Sequence, residues 1–398
     1  MSRIVHIGLG NFHRAHQAWY THRANDVSPG WSILGVSLRS PAMRDKLAAQ
    51  QFNYALVTKD RARTKQEQIT VIDDILFAPE QLEQTLDLIA APQTKIISLT
   101  ITEKGYGLAA DGTPDMDVLS ITEPKSHAIA LLTEGLARRE APATILSCDN
   151  LPGNGEKLHA VVTAYAKARG LTLPEGLTYP GTMVDRITPA TSAALIEETN
   201  GDAAPVETEA FSEWVIEDKF AAARPSWEEV GVQLVEDVAP FELRKLRMLN
   251  GAHSLLAYAG VNAGHDYVHE AVADPHLRGM AETVMREAAE TLPDGLDTEV
   301  YAAALIARFE NPNLRHALRQ IAMDGSLKLP IRILATERAR QERGFDSPAC
   351  RFAIENWAEF VSREVAQGRA LDDPNATEIA KLCDDSPALI QWIANRCA

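Results

Sequence analysis

Over residues 1–150, apolar positions fall into short runs rich in β-branched residues, separated by stretches with helical spacing. The runs RIVHIGL (3–9), WSILGVSL (31–38), NYALVT (53–58), KIISLTI (95–101) and ATILSCDN (143–150) are candidate strands. Residues 11–26 and 80–90 carry the intervening helical pattern. Strands alternating with helices predict βαβ units and a parallel sheet. ITVIDDILF (69–77) fits either a further strand or the entry to a helix, and GLTYPGTMVDRITP (176–189) fits a strand followed by a Pro-limited loop. Residues 205–235 are mixed and fit neither class. From about residue 240 the texture changes. Long apolar-periodic stretches dominate at 240–261, 276–291, 298–309, 313–323, 330–342 and 348–367, and β-branched runs nearly vanish. That pattern predicts a mainly helical second domain. Its start is marked by Pro240, a residue suited to the first turn of a helix.

IVHIGLGNFHRAHQAWY (4–20) places Gly8, Leu9 and Gly10 directly after the first strand, with Asn11 and Phe12 opening a helix. In a dinucleotide-binding fold the first glycine makes the tight turn and the second lets the backbone approach a pyrophosphate. The third glycine of GxGxxG is His13 here, so the motif is incomplete, and the alternative is a tight βα turn that serves packing only. These patterns give an α/β fold class: a Rossmann-type NAD(P)-binding domain over 1–237 and an α-helical substrate and catalytic domain over 238–398. An acidic residue closing the second strand would bind the ribose 2′-hydroxyl of NAD. The strand closes instead on Arg39 and Ser40. Arg39 could meet the 2′-phosphate of NADP or be a solvated loop residue, so NAD is expected as cofactor with NADP possible.

Composition narrows the partners. The net charge of −16 repels phosphate backbones and anionic membranes, so neither nucleic acid nor membrane is an expected partner. Cys148, Cys350, Cys383 and Cys397 show no CxxC spacing, which argues against a zinc site and a disulfide framework; no metal is expected. The first strand-like run begins at residue 3, and no apolar run approaches the length that spans a bilayer. A reduced, cytoplasmic compartment is the expectation.

FELRKLRMLNGAHSLLAY (241–258) has the pattern of a core helix, yet it contains Lys245, Asn250 and His253. At about 100° per residue, with Lys245 at zero, Leu256 falls near about 20°, Leu249 near about 40° and Ala252 near about 340°. On the same wheel His253 falls near about 80° and Asn250 near about 140°, while Arg244, Arg247 and Gly251 take the other side, giving surface charges a separate place to go. A lysine inside an apolar stripe is driven toward a lowered pKa and can exchange protons near neutrality. Taken singly, such a lysine can snorkel to water and such a histidine can be a satisfied core residue. Together the three imply a polar cleft between the helical domain and the sheet. Alcohol oxidation needs a base for the hydroxyl proton and neutral donors for the developing oxyanion. This helix offers both without metal ligands.

Other polar marks sit at strand ends, where open α/β sheets bind ligands. SCDNLPGNG (147–155) offers Asn150 as a second oxyanion donor and Asp149 as its positioner, or else a plain Asx turn. SLTITEKGY (98–106) puts Thr102, Glu103 and Lys104 at a strand tip, next to the expected cofactor. TMVDRITPA (182–190) places Asp185 and Arg186 after an apolar run, either as site residues or as a structural ion pair. RHALRQIAMDGSLKLP (315–330) carries His316, Gln320 and Lys328, the last placed to recognise an anion.

Together GLGNFHRAHQAWY, SLTITEKGY, SCDN, TMVDRITPA, FSEWVIEDKF, KLRMLNGAHSLLAY and NPNLRHALRQIAMDGSLKLP resemble the mannitol dehydrogenase family of polyol-specific long-chain dehydrogenases, over about residues 3–335. The resemblance implies a metal-independent hydride transfer between NAD(P) and a secondary alcohol, at a site between a Rossmann-type and a helical domain, in a monomer. The family's catalytic lysine then falls on Lys245, its oxyanion asparagines on Asn150 and Asn250, and its substrate histidine on His253. Substrate contacts fall on Asp185 and Lys328, with His316 and Gln320 beside them. Mannitol 2-dehydrogenases carry an arginine where this chain has Gln320. WVIEDKF, KLRMLNGAHS and QIAMDGS look closer to the fructuronate reductases, so the expected partner is a small polyol or sugar acid. A non-catalytic dinucleotide sensor on the same fold is the competing reading; it has no use for Lys245 beside two amides. A Gly-rich-loop methyltransferase leaves the helical domain unexplained.

Overall fold

The computed structural model describes residues 1–396, so Cys397 lies outside the described residues. The chain forms two compact units, Met1–Ala239 and Pro240–Ala398.

The first unit carries twelve strands: β1 (Ser2–Ile7), β2 (Trp31–Ser37), β3 (Tyr54–Lys59), β4 (Thr64–Ile69), β5 (Ile72–Phe77), β6 (Thr94–Leu99), β7 (Ala143–Ser147), β8 (Leu177–Thr178), β9 (Thr182–Asp185), β10 (Val206–Glu209), β11 (Glu213–Glu217) and β12 (Gln233–Val235). Six of them make one parallel sheet in the order β5-β2-β1-β6-β7-β8. Counted along the chain within that sheet, this is the 3-2-1-4-5-6 order of a Rossmann fold. The order reverses between β1 and β6, and a ligand crevice is expected outside the carboxyl ends of those two strands.

Side-chain alternation explains the near-continuous apolar runs. Ile4, Ile33 and Ile96 pack into one core with Tyr20, Trp214 and Trp227. Val5, Ile7, Val36, Ile97 and Leu99 pack into another with Leu86, Leu132 and Leu158. A strand whose two faces are both covered loses the polar positions that would mark its period of two.

One element differs from the expectation. NYALVT (53–58) is not a strand of the parallel sheet; β3 lies in a separate sheet of order β10-β3-β4. The third strand of the main sheet is β5, from the segment that fitted either a strand or a helix entry. The mixed segment 205–235 supplies β10, β11 and β12, and β9 pairs antiparallel with β11.

The second unit is helical. Helix Ala239–Arg244 runs through Lys245–Leu249 into helix Asn250–Ala263. Every residue from Gly251 to Gly260 is buried. A helix buried on all sides is a central one. Helices Pro275–Ala289 and Pro348–Ala366 pack on it. The stretch expected to be helical at 313–323 forms only the short helix Leu318–Ile321.

Candidate functional site

The first glycine is required by its backbone. Gly8 has φ +98°, and a Cβ there would stand 2.2 Å from the Thr100 carbonyl oxygen. The Gly10 N–H donates to the Gly8 carbonyl at 2.8 Å, which closes the turn. At Gly10 a Cβ would meet only the Gly8 oxygen, at 4.0 Å, so a ligand can approach this backbone closely. Leu9 is buried and fills the space that a side chain at position 35 would take, with its Cδ1 at 2.5 Å from a Cβ built on Gly35. Asn11 donates to the Pro189 carbonyl and the Thr191 hydroxyl, both at 3.1 Å, which ties the turn to the loop after β9. Phe12 stacks on His16 at 5.0 Å. This turn, at the point where the strand order reverses, has the features that a pyrophosphate requires.

Thr102 and Glu103 are exposed at the tip of β6, where Glu103–Gly105 makes a single helical turn. Arg39 is exposed just beyond β2, and its side chain makes no hydrogen bond or ion pair among the described residues.

The end of β7 is braced from within. The Asp149 carboxylate Oδ2 accepts from the Ile101 N–H at 2.9 Å and from the Tyr106 hydroxyl at 2.7 Å. Burial nevertheless outweighs those bonds and pushes the Asp149 carboxyl up to about 6. Tyr106 also meets the Ser147 hydroxyl at 2.5 Å. The exposed Asn150 follows on this anchored backbone. Asn154 joins the same end to β9, donating to the Thr182 carbonyl at 2.8 Å and accepting from the Thr182 N–H at 3.0 Å. Asp185 ends β9 and is buried. Arg186 stacks over Trp19 at 4.5 Å and donates to the Glu209 and Ala15 carbonyls, so its role is structural.

Asp149 carries a pH prediction. Its folded pKa lies above the ordinary carboxyl value, so the fold favours its protonated form. That stabilisation is complete below pH about 4 and is lost as pH rises through about 6. The difference between 3.8 and about 6 corresponds to at most about 3 kcal/mol. Asp149→Asn should flatten the fall in unfolding free energy between pH 4 and pH 7 by up to that amount, measured by urea titration across the range. An unchanged pH slope would contradict it.

In the second unit the lysine helix departs from uniform winding. The Asn250 N–H donates to the Lys245 carbonyl, an i→i+5 bond that makes Lys245–Leu249 a π turn. Uniform winding separates Lys245 and Asn250 by about 140°; the inserted residue brings Asn250 one turn above Lys245, on the same face. His253, three residues on, continues that face in α geometry. Single π turns inside α-helices recur at functional sites.

The expectation that the arginines face solvent is also corrected. Arg244 is buried, its guanidinium 4.1 Å over the Tyr301 ring. Arg247 donates to the Thr291 hydroxyl at 2.7 Å and carbonyl at 3.2 Å. Aromatic faces and helix-end carbonyls take these charges inside the unit. Lys245 itself is half-buried.

His253 meets the His316 ring edge-on at 5.2 Å and Phe309 at 4.7 Å. Burial, then the nearby Arg308, lowers the His316 pKa, which favours its neutral ring. A second π turn, Pro330–Leu334, packs on the first, and its Arg332 donates to the Ser254 hydroxyl at 3.3 Å. Lys328 precedes it, donating to the Met323 carbonyl at 2.6 Å and lying 3.7 Å from Asp324. Burial and then Arg332 lower its pKa. Gln320 is exposed and lines a cavity of about 320 Å³ with Arg319, Trp357, Phe360 and Glu364. Among the described residues, no three His, Cys, Asp or Glu side chains gather as metal ligands would, and no helix is long and apolar enough to cross a membrane.

Residues 2–229 match the mannitol dehydrogenase Rossmann domain, and residues 237–395 match the mannitol dehydrogenase C-terminal domain. The chain belongs to the mannitol dehydrogenase family. It is an oxidoreductase by that membership. D-mannonate oxidoreductase of Escherichia coli K12 is 40% identical over 96% of this chain and 85% of that relative. A mannitol 2-dehydrogenase of Phaeosphaeria nodorum is 36% identical over 96% of this chain and 73% of that relative. Among solved structures, the ternary complex of Pseudomonas fluorescens mannitol 2-dehydrogenase with NAD and D-mannitol matches at a TM-score of 0.78 and 31% identity, covering 100% of this chain and 91% of that one. A substrate-free D-sorbitol dehydrogenase matches at 0.84 and 30% identity, covering 99% of this chain and 92% of that one. The family assignment and the α/β-plus-helical fold class expected from the motifs both hold.

Sequence reasoning passed over His6, Ser98, Thr100, Tyr106 and Arg332. His6 carried a usable signal, as the lone ionisable side chain inside the run IVHIGL.

Proposed function

We propose that this chain is a metal-independent, NAD-dependent oxidoreductase that interconverts a secondary alcohol of a polyol or aldonate with the matching ketose or ketouronate, with D-mannonate and D-fructuronate as its pair. The observation that carries the mechanism is the π turn that aligns Lys245 and Asn250. The residues that would hold the dinucleotide are Gly8, Leu9, Gly10, Asn11 and Phe12, with Thr102 and Glu103 beside them. Arg39, exposed just beyond β2, would meet the adenosine ribose, and an exposed arginine there is compatible with NADPH as a second cofactor. When bound, the nicotinamide supplies the hydride donor or acceptor.

This chain's own residues handle the proton and the charge. In the oxidation direction Lys245 Nζ takes the hydroxyl proton; in reduction it returns it. The Asn150 and Asn250 amides donate to the substrate oxygen as negative charge builds there. His253 orients that oxygen, and Lys328 meets an anionic end of the substrate. Asp185, His316 and Gln320 are further substrate contacts. A neutral amide at 320, where mannitol 2-dehydrogenases carry an arginine, supports a substrate other than mannitol. So does the 40% identity to a D-mannonate oxidoreductase.

The test is NADH and NADPH oxidation against fructuronate, tagaturonate, fructose and xylulose, with EDTA present throughout. Fructuronate with NADH should turn over fastest. A response to fructose or xylulose alone would replace the hexuronate reading with a polyol one. NADH binding by calorimetry without turnover of any of the four would leave a dinucleotide sensor.

A further inference from the structure

The buried face of β1 holds a polar chain that ends on the glycine turn. His6 stands directly across from Ser98 in the β1–β6 register. Its Nδ1 is 2.8 Å from the Ser98 hydroxyl, and its Nε2 is 2.8 Å from the Thr100 hydroxyl. The Thr100 hydroxyl donates to the Gly8 carbonyl at 2.6 Å. A threonine hydroxyl has one proton. Spent on Gly8, it leaves Thr100 only as an acceptor toward His6. His6 is therefore the Nε2–H tautomer, and Ser98 donates to its Nδ1. Burial holds its pKa down at about 3, so the ring stays neutral and the direction of the chain is fixed.

His13 completes the arrangement. In a GxGxxG turn the third glycine lets the helix lie close on the strand. Here the His13 ring lies flat on His6, with centroids 3.4 Å apart and planes 16° apart. Both rings are fully buried. The stacked pair gives a close approach with a side chain where the motif expects none. The same face thus explains the missing glycine and the bracing of Gly8.

We infer that His6 and Thr100 are positioning residues for the dinucleotide, a Ser98–His6–Thr100 relay that fixes the Gly8 carbonyl and thereby the turn that receives the pyrophosphate. The inference rests on the reading of Gly8–Gly10 as a dinucleotide turn. It requires the relay to act as one unit on cofactor affinity and to leave the chemical step alone.

NADH affinity and steady-state kinetics of Thr100→Val, His6→Phe and the double variant test it, with Thr100→Ser as the conservative control. Thr100→Val should raise the NADH dissociation constant about tenfold with kcat at saturating NADH within about twofold, and the double variant should be no worse than the poorer single. Thr100→Ser should restore wild-type affinity. Selective ¹⁵N-histidine spectra, assigned with His6→Phe, should show the Nε2–H form at pH 7. Unchanged affinity in a folded Thr100→Val, multiplying effects in the double variant, or an Nδ1–H His6 would each overturn the relay. Wild type that fails to bind NADH would instead overturn the dinucleotide reading, and the relay with it.

Discussion

Lys245→Ala should lower turnover by about 10³-fold while leaving the NADH dissociation constant within about twofold. The expectation follows from where the residue sits. Lys245 opens a π turn, half-buried, with Asn250 one turn above and His253 three residues further on. The flanking arginines are engaged elsewhere, Arg244 on Tyr301 and Arg247 on Thr291. On the proposed mechanism, removing the amine removes the proton acceptor and leaves the glycine turn of the first unit untouched. Stopped-flow measurement of the chemical step, with calorimetry for NADH, separates the two effects. Lys245→Arg should be nearly as slow as the alanine variant, because a guanidinium stays protonated at any usable pH.

Among the glycines of the first unit, Gly8→Ala should be the most costly alanine substitution. The new Cβ would stand 2.2 Å from the Thr100 carbonyl oxygen, and the residue would be held at φ +98°. Left-handed backbone costs a non-glycine residue roughly 1–2 kcal/mol by itself. The clash is with backbone, so β1 and β6 must part to relieve it. A marked loss of thermal stability and loss of NADH binding are expected together. Gly10→Ala is the contrasting case. Its Cβ meets nothing closer than 4.0 Å, so stability should be unchanged while NADH affinity falls about tenfold or more. Equal behaviour of the two variants would mean that position 10 does not receive a ligand.

The main features of the fold were legible because covered strands and long helices leave strong periodic signals. The third strand of the main sheet was not. NYALVT and the run at 72–77 are equally rich in β-formers, and only the pairing with β2 decides that Ile72–Phe77 enters the sheet. On the lysine helix, polar residues in an apolar stretch marked the candidate site. Their true alignment stayed hidden, since a uniform wheel cannot register the residue inserted between Lys245 and Asn250. Arg244 misled for a related reason: charge alone predicts solvent, whereas an aromatic face can hold a guanidinium inside. The relay on β1 escaped because its members lie 92 and 94 residues apart in sequence and meet only through strand register.

The most direct test of the account is chemical rescue of Lys245→Ala by small primary amines, using NADH and the best substrate of the panel. Added amine should restore turnover, with rates that rise with the basicity of the amine at constant size. Turnover of the alanine variant near the wild-type rate without amine, or no response to any amine in a variant that still binds NADH, would contradict Lys245 as the proton acceptor.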